Sequence, residues 1–292
     1  MTRTAISPRF AIKTLLNTRL MYSVMTSMTE LPALNQTRFS SIQTVAETGS
    51  TNSDLLAEAT AGAVQGRVLV TDHQTAGRGR QDRSWHDDPG KALLVSVLLR
   101  PTLTVAPIMP RLAGVAATEA VATFQNELEA QPPVGLKWPN DVLAPGHDER
   151  KVAGILAESS TAAGTDGADA GLAVVVGMGM NLSWERQPPS DLAAKAVSLG
   201  EVLGQPVERD EVLHRYLRAL EYWLDRLERF GSPVLLERYR SYCLTIGRSV
   251  RFITATQELE GTAVDVSDRG TLLLEGAGGV TELHAGDAHH LP

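Results

Sequence analysis

The sequence predicts an α/β (α+β) protein of two domains, the second a small β-barrel. Three observations predict this. Short apolar and β-branched segments alternate with helical patterns as far as residue 181. A long amphipathic helix follows at 208–230. After Gly247 the apolar residues switch to period two. A chain of 292 residues suits one large domain and one small one. The boundaries drawn from these patterns are an N-terminal extension over 1–38, a larger domain over 39–243 and the barrel over 244–292.

The elements come in order. Ser41 to Ala46 reads as a short strand. Ser50-Thr51-Asn52-Ser53-Asp54 supplies capping residues ahead of the helix that begins Leu55-Leu56-Ala57. Arg67 to His73 carries β-branched Val68, Val70 and Thr71 and reads as a strand. Residues 75–91 are rich in Gly, Arg and Asp without periodicity, hence a loop. Ala92 to Leu99 is an unbroken apolar run, as in a strand buried on both faces. Met109 to Leu128 has helical character. Val134 to Trp138, Lys151 to Glu158 and Leu172 to Asn181 read as further strands. In 208–230, Leu213, Tyr216, Leu217, Leu220, Trp223, Leu224 and Leu227 recur at helical spacing. A second helix follows Pro233 to about 242. Val250 and Phe252, then Thr262, Val264 and Val266, then Leu272 and Leu274 alternate between turn glycines, which predicts four or five barrel strands.

Composition excludes several classes. A hydrophobic fraction of 43% and a charged fraction of 21% fit a globular chain and not a disordered one. The apolar stretches, such as 172–182, fall well short of the roughly 20 residues that cross a bilayer. A net charge of −7 gives no support to a duplex-DNA binder. Cys243 is the single cysteine, so no internal disulfide or cysteine-based zinc site forms, and a reducing, cytoplasmic compartment is expected. Residues 1–29 carry Arg3, Arg9, Lys13 and Arg19 with no acid before Glu30. A transit peptide is one reading. The other, favoured because Met21, Met25 and Met28 offer later starts, is an upstream start codon or a disordered tail.

The common nucleotide signatures fail. No G-x-x-x-x-G-K-[ST] occurs, and Gly177-Met178-Gly179-Met180-Asn181 lacks the later glycine of a dinucleotide fingerprint. His289-His290 reads as a solvated tail ahead of a weak metal site. Four segments carry more. Gly49-Ser50-Thr51-Asn52 offers directional donors and acceptors, or a plain helix cap. His73-Gln74-Thr75-Ala76-Gly77-Arg78-Gly79-Arg80 with Arg83 and Trp85 gathers guanidinium groups on a glycine loop, as an anionic ligand requires. In Lys137-Trp138-Pro139-Asn140-Asp141 a strand end presents an ammonium and a carboxylate. These suit a phosphate and its Mg²⁺, or a salt-bridged turn. Lys151 to Leu156 and Gly177 to Asn181 place small residues on apolar strands, leaving room for a flat ligand. Lys151 points either at a ligand carboxylate or into water.

GSTN at 49–52, HQTAGRGR at 73–80, KWPND at 137–141, KVAGIL at 151–156 and GMGMN at 177–181 occur together in this order. The sequence resembles the biotin–protein ligase family, also called biotin–[acetyl-CoA-carboxylase] ligase, from about residue 42 to the end. The resemblance implies a mixed β-sheet catalytic domain related to class II aminoacyl-tRNA synthetases, followed by an SH3-like barrel. It implies biotin and ATP as substrates, Mg²⁺ as cofactor, and a biotinyl-5′-AMP intermediate. The acceptor would be a lysine of a biotin carboxyl carrier protein or domain. No nucleic acid or membrane partner is implied, and the chain would be a monomer or homodimer.

Carried over by position, Ser50, Thr51, Asn52, Gln74, Arg78, Gly79, Arg80, Lys151, Gly154, Gly177 and Gly179 would hold biotin. Trp85, Lys137, Asn140 and Asn181 would serve ATP and the adenylate. Lys137, Arg80 and Arg78 would be catalytic, and Asp141 would help place Mg²⁺. Two departures stand out. A helix-turn-helix would need roughly 60 residues ahead of the core, so a ligase without repressor activity is expected. Gly146-His147-Asp148-Glu149 is a small polar insertion expected in a turn. The rivals are a lipoate–protein ligase or octanoyl transferase, a biotin-responsive repressor and a non-catalytic biotin-binding module.

Overall fold

The computed structural model describes residues 34–125, 131–161, 171–184, 190–254, 258–284 and 286–291. Seven strands form the main sheet: β1 (Ser41–Thr48), β2 (Arg67–Gln74), β3 (Ala92–Leu99), β4 (Gly135–Lys137), β5 (Asp141–Ala144), β6 (Arg150–Thr161) and β7 (Leu172–Asn181). Their order is β1-β2-β3-β7-β6-β5-β4. β1 and β2 are parallel, joined by the crossover helix α1 (Thr51–Thr60). All other neighbours are antiparallel, which makes the sheet mixed.

β3 and β7 lie in the middle and are covered on both faces, which is why their sequences read as unbroken apolar runs. Leu93, Val95 and Val97 on β3, with Val174, Val176 and Met178 on β7, face the larger core. Leu98, Ala173 and Val175 face α1, where they meet Leu55 and Ala59. The larger core is roofed by α2 (Met109–Ala122), and after the short helices α3 (Ser190–Ala193) and α4 (Leu199–Leu203), by α5 (Arg209–Phe230) and α6 (Ser232–Tyr242). α2 has almost no exposed face, because the sheet lies on one side and α5 and α6 on the other. Its Glu119 is therefore buried, and it accepts from Arg238 Nε at 2.8 Å and Trp223 Nε1 at 2.8 Å. α2 ends earlier than its pattern predicts: Thr123 Oγ1 turns back to the Ala120 carbonyl at 2.7 Å, the local competition that stops helices. Residues 126–128 of that expectation lie outside the described residues.

Three elements have no counterpart in the sequence reading. β5 is short and pairs antiparallel with β4, a register that sets Lys137 and Asp141 directly opposite each other in a hairpin. α3 and α4 span about one turn each, too few residues to show periodicity. The insertion at 146–149 lies in the turn expected of it, with Asp148 and Glu149 in the left-handed region at φ 56° and 54°.

The second sheet is β8 (Ser249–Ile253), β9 (Glu258–Val266), β10 (Leu272–Gly276), β11 (Gly279–Leu283) and β12 (Asp287–His290), in the order β11-β10-β9-β8-β12. This is the SH3-like C-terminal domain. It is locked to the main sheet. Leu244 N–H donates to the Leu136 carbonyl at 2.8 Å, the Trp138 ring lies 5.9 Å from Phe252, and Trp138 Nε1 and Arg111 both donate to the Gly270 carbonyl. His289 and His290 are not a solvated tail. They belong to β12, whose ladder with β8 pairs His290 with Val250.

Of the 1–38 extension, residues 1–33 lie outside the described residues. Residues 34–38 begin with a short 3₁₀ turn at Leu34–Gln36. Arg38 donates to Glu221, Asp225 and Glu228, which α5 stacks on one face. Burial opposes the Arg38 charge, but the carboxylates outweigh it and raise its pKa. Among the described residues no helix is long and apolar enough to cross a membrane.

Candidate active site

One cleft opens on the α1 face of the sheet, beyond the end that α1 covers. Its floor is set by strand register. Gly154 on β6 stands opposite Gly179 on β7, and Gly177 stands opposite both Leu156 and Ser96. A Cβ on Gly177 would collide with the Asn52 amide, and one on Gly179 would meet the Trp85 ring at 2.5 Å. In this structure the space these glycines leave is taken up by the protein's own side chains, Asn52 over Gly177 and Trp85 over Gly179. Trp85 lies across Gly179 and Gly154, with its Nε1 buried and without a hydrogen-bond partner among the described residues.

The polar wall comes from the start of α1 and the end of β2. Ser50 sits at the N-cap of α1, yet its hydroxyl makes no capping bond, so a plain cap does not explain it. Thr51 N–H and Oγ1 donate to Gln74 Oε1 at 2.9 and 3.1 Å. Asn52 Nδ2 donates to the Leu156 carbonyl and, at 2.8 Å, to Glu158. Ser96 Oγ lies 2.7 Å from Thr51 Oγ1 and 2.6 Å from Asn52 Oδ1. Thr51, Asn52 and Ser96 are all buried, which fixes their rotamers as a preorganised site requires.

The arginine loop closes over this wall. Gly79 N–H donates to the Arg83 carbonyl at 2.6 Å, and Trp85 N–H donates to Gly77 at 2.9 Å. The loop turns at Gln81 and Asp82, both in the left-handed region. Arg78 donates to Glu158 at 2.7 Å. Arg80 donates to Asn140 Oδ1 and to the Gly286 carbonyl, each at 3.3 Å, and Arg83 pairs with Asp287. Burial lowers the Arg80 pKa, with Asp287 and Asp141 opposing and Arg83 adding to the fall. A guanidinium starved of water in this way gains most from a ligand anion.

At the far end the hairpin presents Lys137, and Asp141 Oδ1 holds Lys151 Nζ at 2.7 Å. Lys151 Nζ also lies 5.6 Å from the Trp85 ring. Asn140 Nδ2 donates to the Ile155 carbonyl, which ties the hairpin to β6.

Every residue given a binding or catalytic role from the sequence lines this cleft except Asn181. Asn181 is buried opposite Ala92, and its amide holds the Lys151 carbonyl at 3.4 Å, so its contact is with the backbone of a cleft residue. Sequence reasoning passed over Ser96, Glu158 and Asp287. Ser96 had a signal, as the one hydroxyl in an eight-residue apolar strand. Glu158 closes the quoted Lys151 strand. Asp287 had none, since it arrives from the other domain.

Residues 44–181 match the biotin/lipoate A/B protein ligase family, and residues 245–291 match the biotin protein ligase C terminal domain. The chain is 38% identical over 259 residues to a biotin–[acetyl-CoA-carboxylase] ligase of Mycobacterium tuberculosis, an alignment covering 86% of this chain and 89% of that protein. It is 32% identical to the bifunctional ligase/repressor BirA of Bacillus subtilis, over 77% of this chain and 66% of that protein. A solved biotin protein ligase from Aquifex aeolicus in complex with biotin and ATP aligns with a TM-score of 0.69 and 26% identity, covering 86% of this chain and 98% of that one.

Proposed function

The chain belongs to the biotin protein ligase family, and from that premise we propose how this cleft activates biotin with ATP and delivers it to a protein lysine. The observation that supports the reading is convergence. Buried Thr51 and Asn52, half-buried Gln74 with the arginine loop, Lys137 with Asp141, and Lys151 come from four separate segments and line one cleft. The match of the barrel to the C-terminal domain of biotin protein ligases favours biotin over lipoate.

The chemistry asks for two displacements. The biotin carboxylate attacks the α-phosphorus of ATP, forming a carboxyl–phosphate anhydride and releasing pyrophosphate. A lysine amine of a biotin carboxyl carrier domain then attacks the acyl carbon, forming an amide and releasing AMP. A carboxylate alone resists amine attack because oxide is a poor leaving group; AMP is a good one. The first step crowds negative charge, so fixed cations in a water-poor site supply the stabilisation. Lys137, Arg80 and Arg78 are assigned that role. Lys151, 2.7 Å from Asp141, is assigned the biotin carboxylate. Thr51, Asn52 and Gln74, with Ser50, are assigned the ureido ring, and the Trp85 ring is assigned the adenylate. Asn181 is assigned a supporting place behind Lys151.

Among the described residues no group of three or more His, Cys, Asp or Glu side chains gathers to hold a metal. The donor set fits a magnesium ion carried in by the ATP phosphates, to which Asp141 would add one carboxylate oxygen. Such an ion would neutralise phosphate charge. A cytoplasmic setting belongs to the same proposal, supported by the buried free thiol of Cys243.

Biotin-dependent ATP–pyrophosphate exchange, run beside lipoate and octanoate, tests the reading. Exchange with biotin alone is expected. Exchange with lipoate instead would move the substrate to the other branch of the family, and no exchange with any acid from a folded sample would remove the catalytic roles.

A further inference from the structure

Four segments that are far apart in the sequence meet behind Lys137. The Trp138 backbone N–H, next to Lys137, donates to Thr245 Oγ1 at 3.0 Å. Thr245 is wholly buried at the entry to the barrel, and its Oγ1 lies 3.1 Å from His290 Nε2 on β12. His290 Nδ1 lies 2.8 Å from Glu149 Oε2 in the turn inserted before β6, and Arg248 pairs with the same carboxylate. A carboxylate accepts, so Nδ1 carries the imidazole proton. In the neutral ring Nε2 is then an acceptor. It accepts a hydrogen bond from the Thr245 hydroxyl, and the Thr245 oxygen in turn accepts from the Trp138 N–H. The bonds run in one direction, from the backbone beside Lys137 to Glu149.

We propose that His290 is a positioning residue for Lys137: through Thr245, the neutral imidazole fixes the backbone that aims the ammonium at the ATP phosphates. This rests on the phosphate role given to Lys137 above. A second proton on Nε2 reverses the relay. The ring then donates to Thr245, the hydroxyl loses the imidazole as its acceptor and must turn its proton elsewhere, and its oxygen is left accepting from the ring and the Trp138 N–H at once. The groups facing His290 are Glu149 from the turn, Lys137 from β4 and Arg248 from the segment before β8. Burial lowers the His290 pKa; Glu149 opposes, while Lys137 and Arg248 add to the fall. The geometry thus keeps the ring neutral at ordinary pH, and acid is what breaks the relay.

The test uses the full-length enzyme in biotin-dependent ATP–pyrophosphate exchange, reading KM for ATP and for biotin separately. Thr245→Val is expected to raise KM for ATP about five- to tenfold, the loss of one buried hydrogen bond, with KM for biotin unchanged. Thr245→Ser, which keeps the hydroxyl, is expected to restore it. As pH falls below 6.5, KM for ATP should rise more steeply in the wild type than in His290→Gln. Equal values for Val and Ser, parallel loss of both substrates, or an unchanged pH slope in His290→Gln would each overturn the inference. Lys137→Ala separates the two claims. If it leaves KM for ATP unchanged, the phosphate role falls and this inference with it; if it raises KM while Thr245→Val does not, only the positioning role falls. Should Thr245→Val fail to fold, the imidazole ¹⁵N spectrum of the wild type decides, with His290 assigned by His290→Gln. A neutral ring protonated on Nδ1 is expected at pH 7.5, and the other tautomer or a charged ring refutes the relay.

Discussion

Lys151 Nζ stands 2.7 Å from Asp141 Oδ1, across the ladder in which Asp141 pairs with Gly154. The lysine therefore points into the cleft. Both side chains remain partly exposed, so the pair itself contributes only about 0–1 kcal/mol to stability. Lys151→Met should leave the melting temperature within a few degrees of wild type. It should slow biotin-dependent exchange about ten- to hundredfold, the loss of one charged contact to substrate. An unchanged exchange rate would take Lys151 away from the biotin carboxylate.

Arg80 is held by the Asn140 side chain and the Gly286 carbonyl, and so ties the loop both to the hairpin and to the barrel. Arg80→Gly should untie it. The expected outcome is continued formation of biotinyl-AMP with faster escape, read as more biotin on bystander proteins in a mixed sample. Labelling equal to or below wild type, with adenylate still made, would show that the arginine does not retain the intermediate.

Ser96 touches Thr51 and Asn52 together, from beneath the wall assigned to biotin. Ser96→Ala removes the shared hydroxyl and leaves two buried polar groups a partner short, which costs about 1–3 kcal/mol. Biotin affinity measured by calorimetry should fall about tenfold, while ATP affinity stays within twofold. A variant that loses both affinities alike would point to a collapsed cleft.

His290 gives stability a pH dependence of known sign. Burial holds its folded-state pKa below that of the unfolded chain, so as pH falls the unfolded chain takes up the proton first. The contribution is complete above the ordinary histidine value near 6.5 and is lost progressively below it. Urea unfolding at pH 7.5 and pH 5.5 should therefore show a larger drop for wild type than for His290→Gln. A drop of the same size in both would mean that His290 is as solvated in the folded chain as in the unfolded one.

Residues whose role depends on near neighbours were legible in advance. The unbroken apolar runs of β3 and β7, the Leu-rich stripe of α5 and the alternation after Gly247 each report a local periodicity, and the elements appear where the pattern puts them. Lys137 and Asp141 were readable as a pair because they lie four positions apart, although the hairpin that sets them face to face was not. The end of α2 and the short helices α3 and α4 escaped because one turn, or one threonine, is too small a signal for periodicity to carry.

The class of fold, the order of the elements and the glycine, arginine and lysine motifs of the cleft are written locally in the chain, each within a dozen adjacent residues. Tertiary structure alone decided that the Trp85 ring lies on the Gly154–Gly179 pair, that Trp138 clasps Gly270, and that Asp287 and His290 reach the cleft and its support. Those contacts join residues far apart in the chain. They follow from sheet order and from how the barrel docks on β4, which the whole core fixes at once.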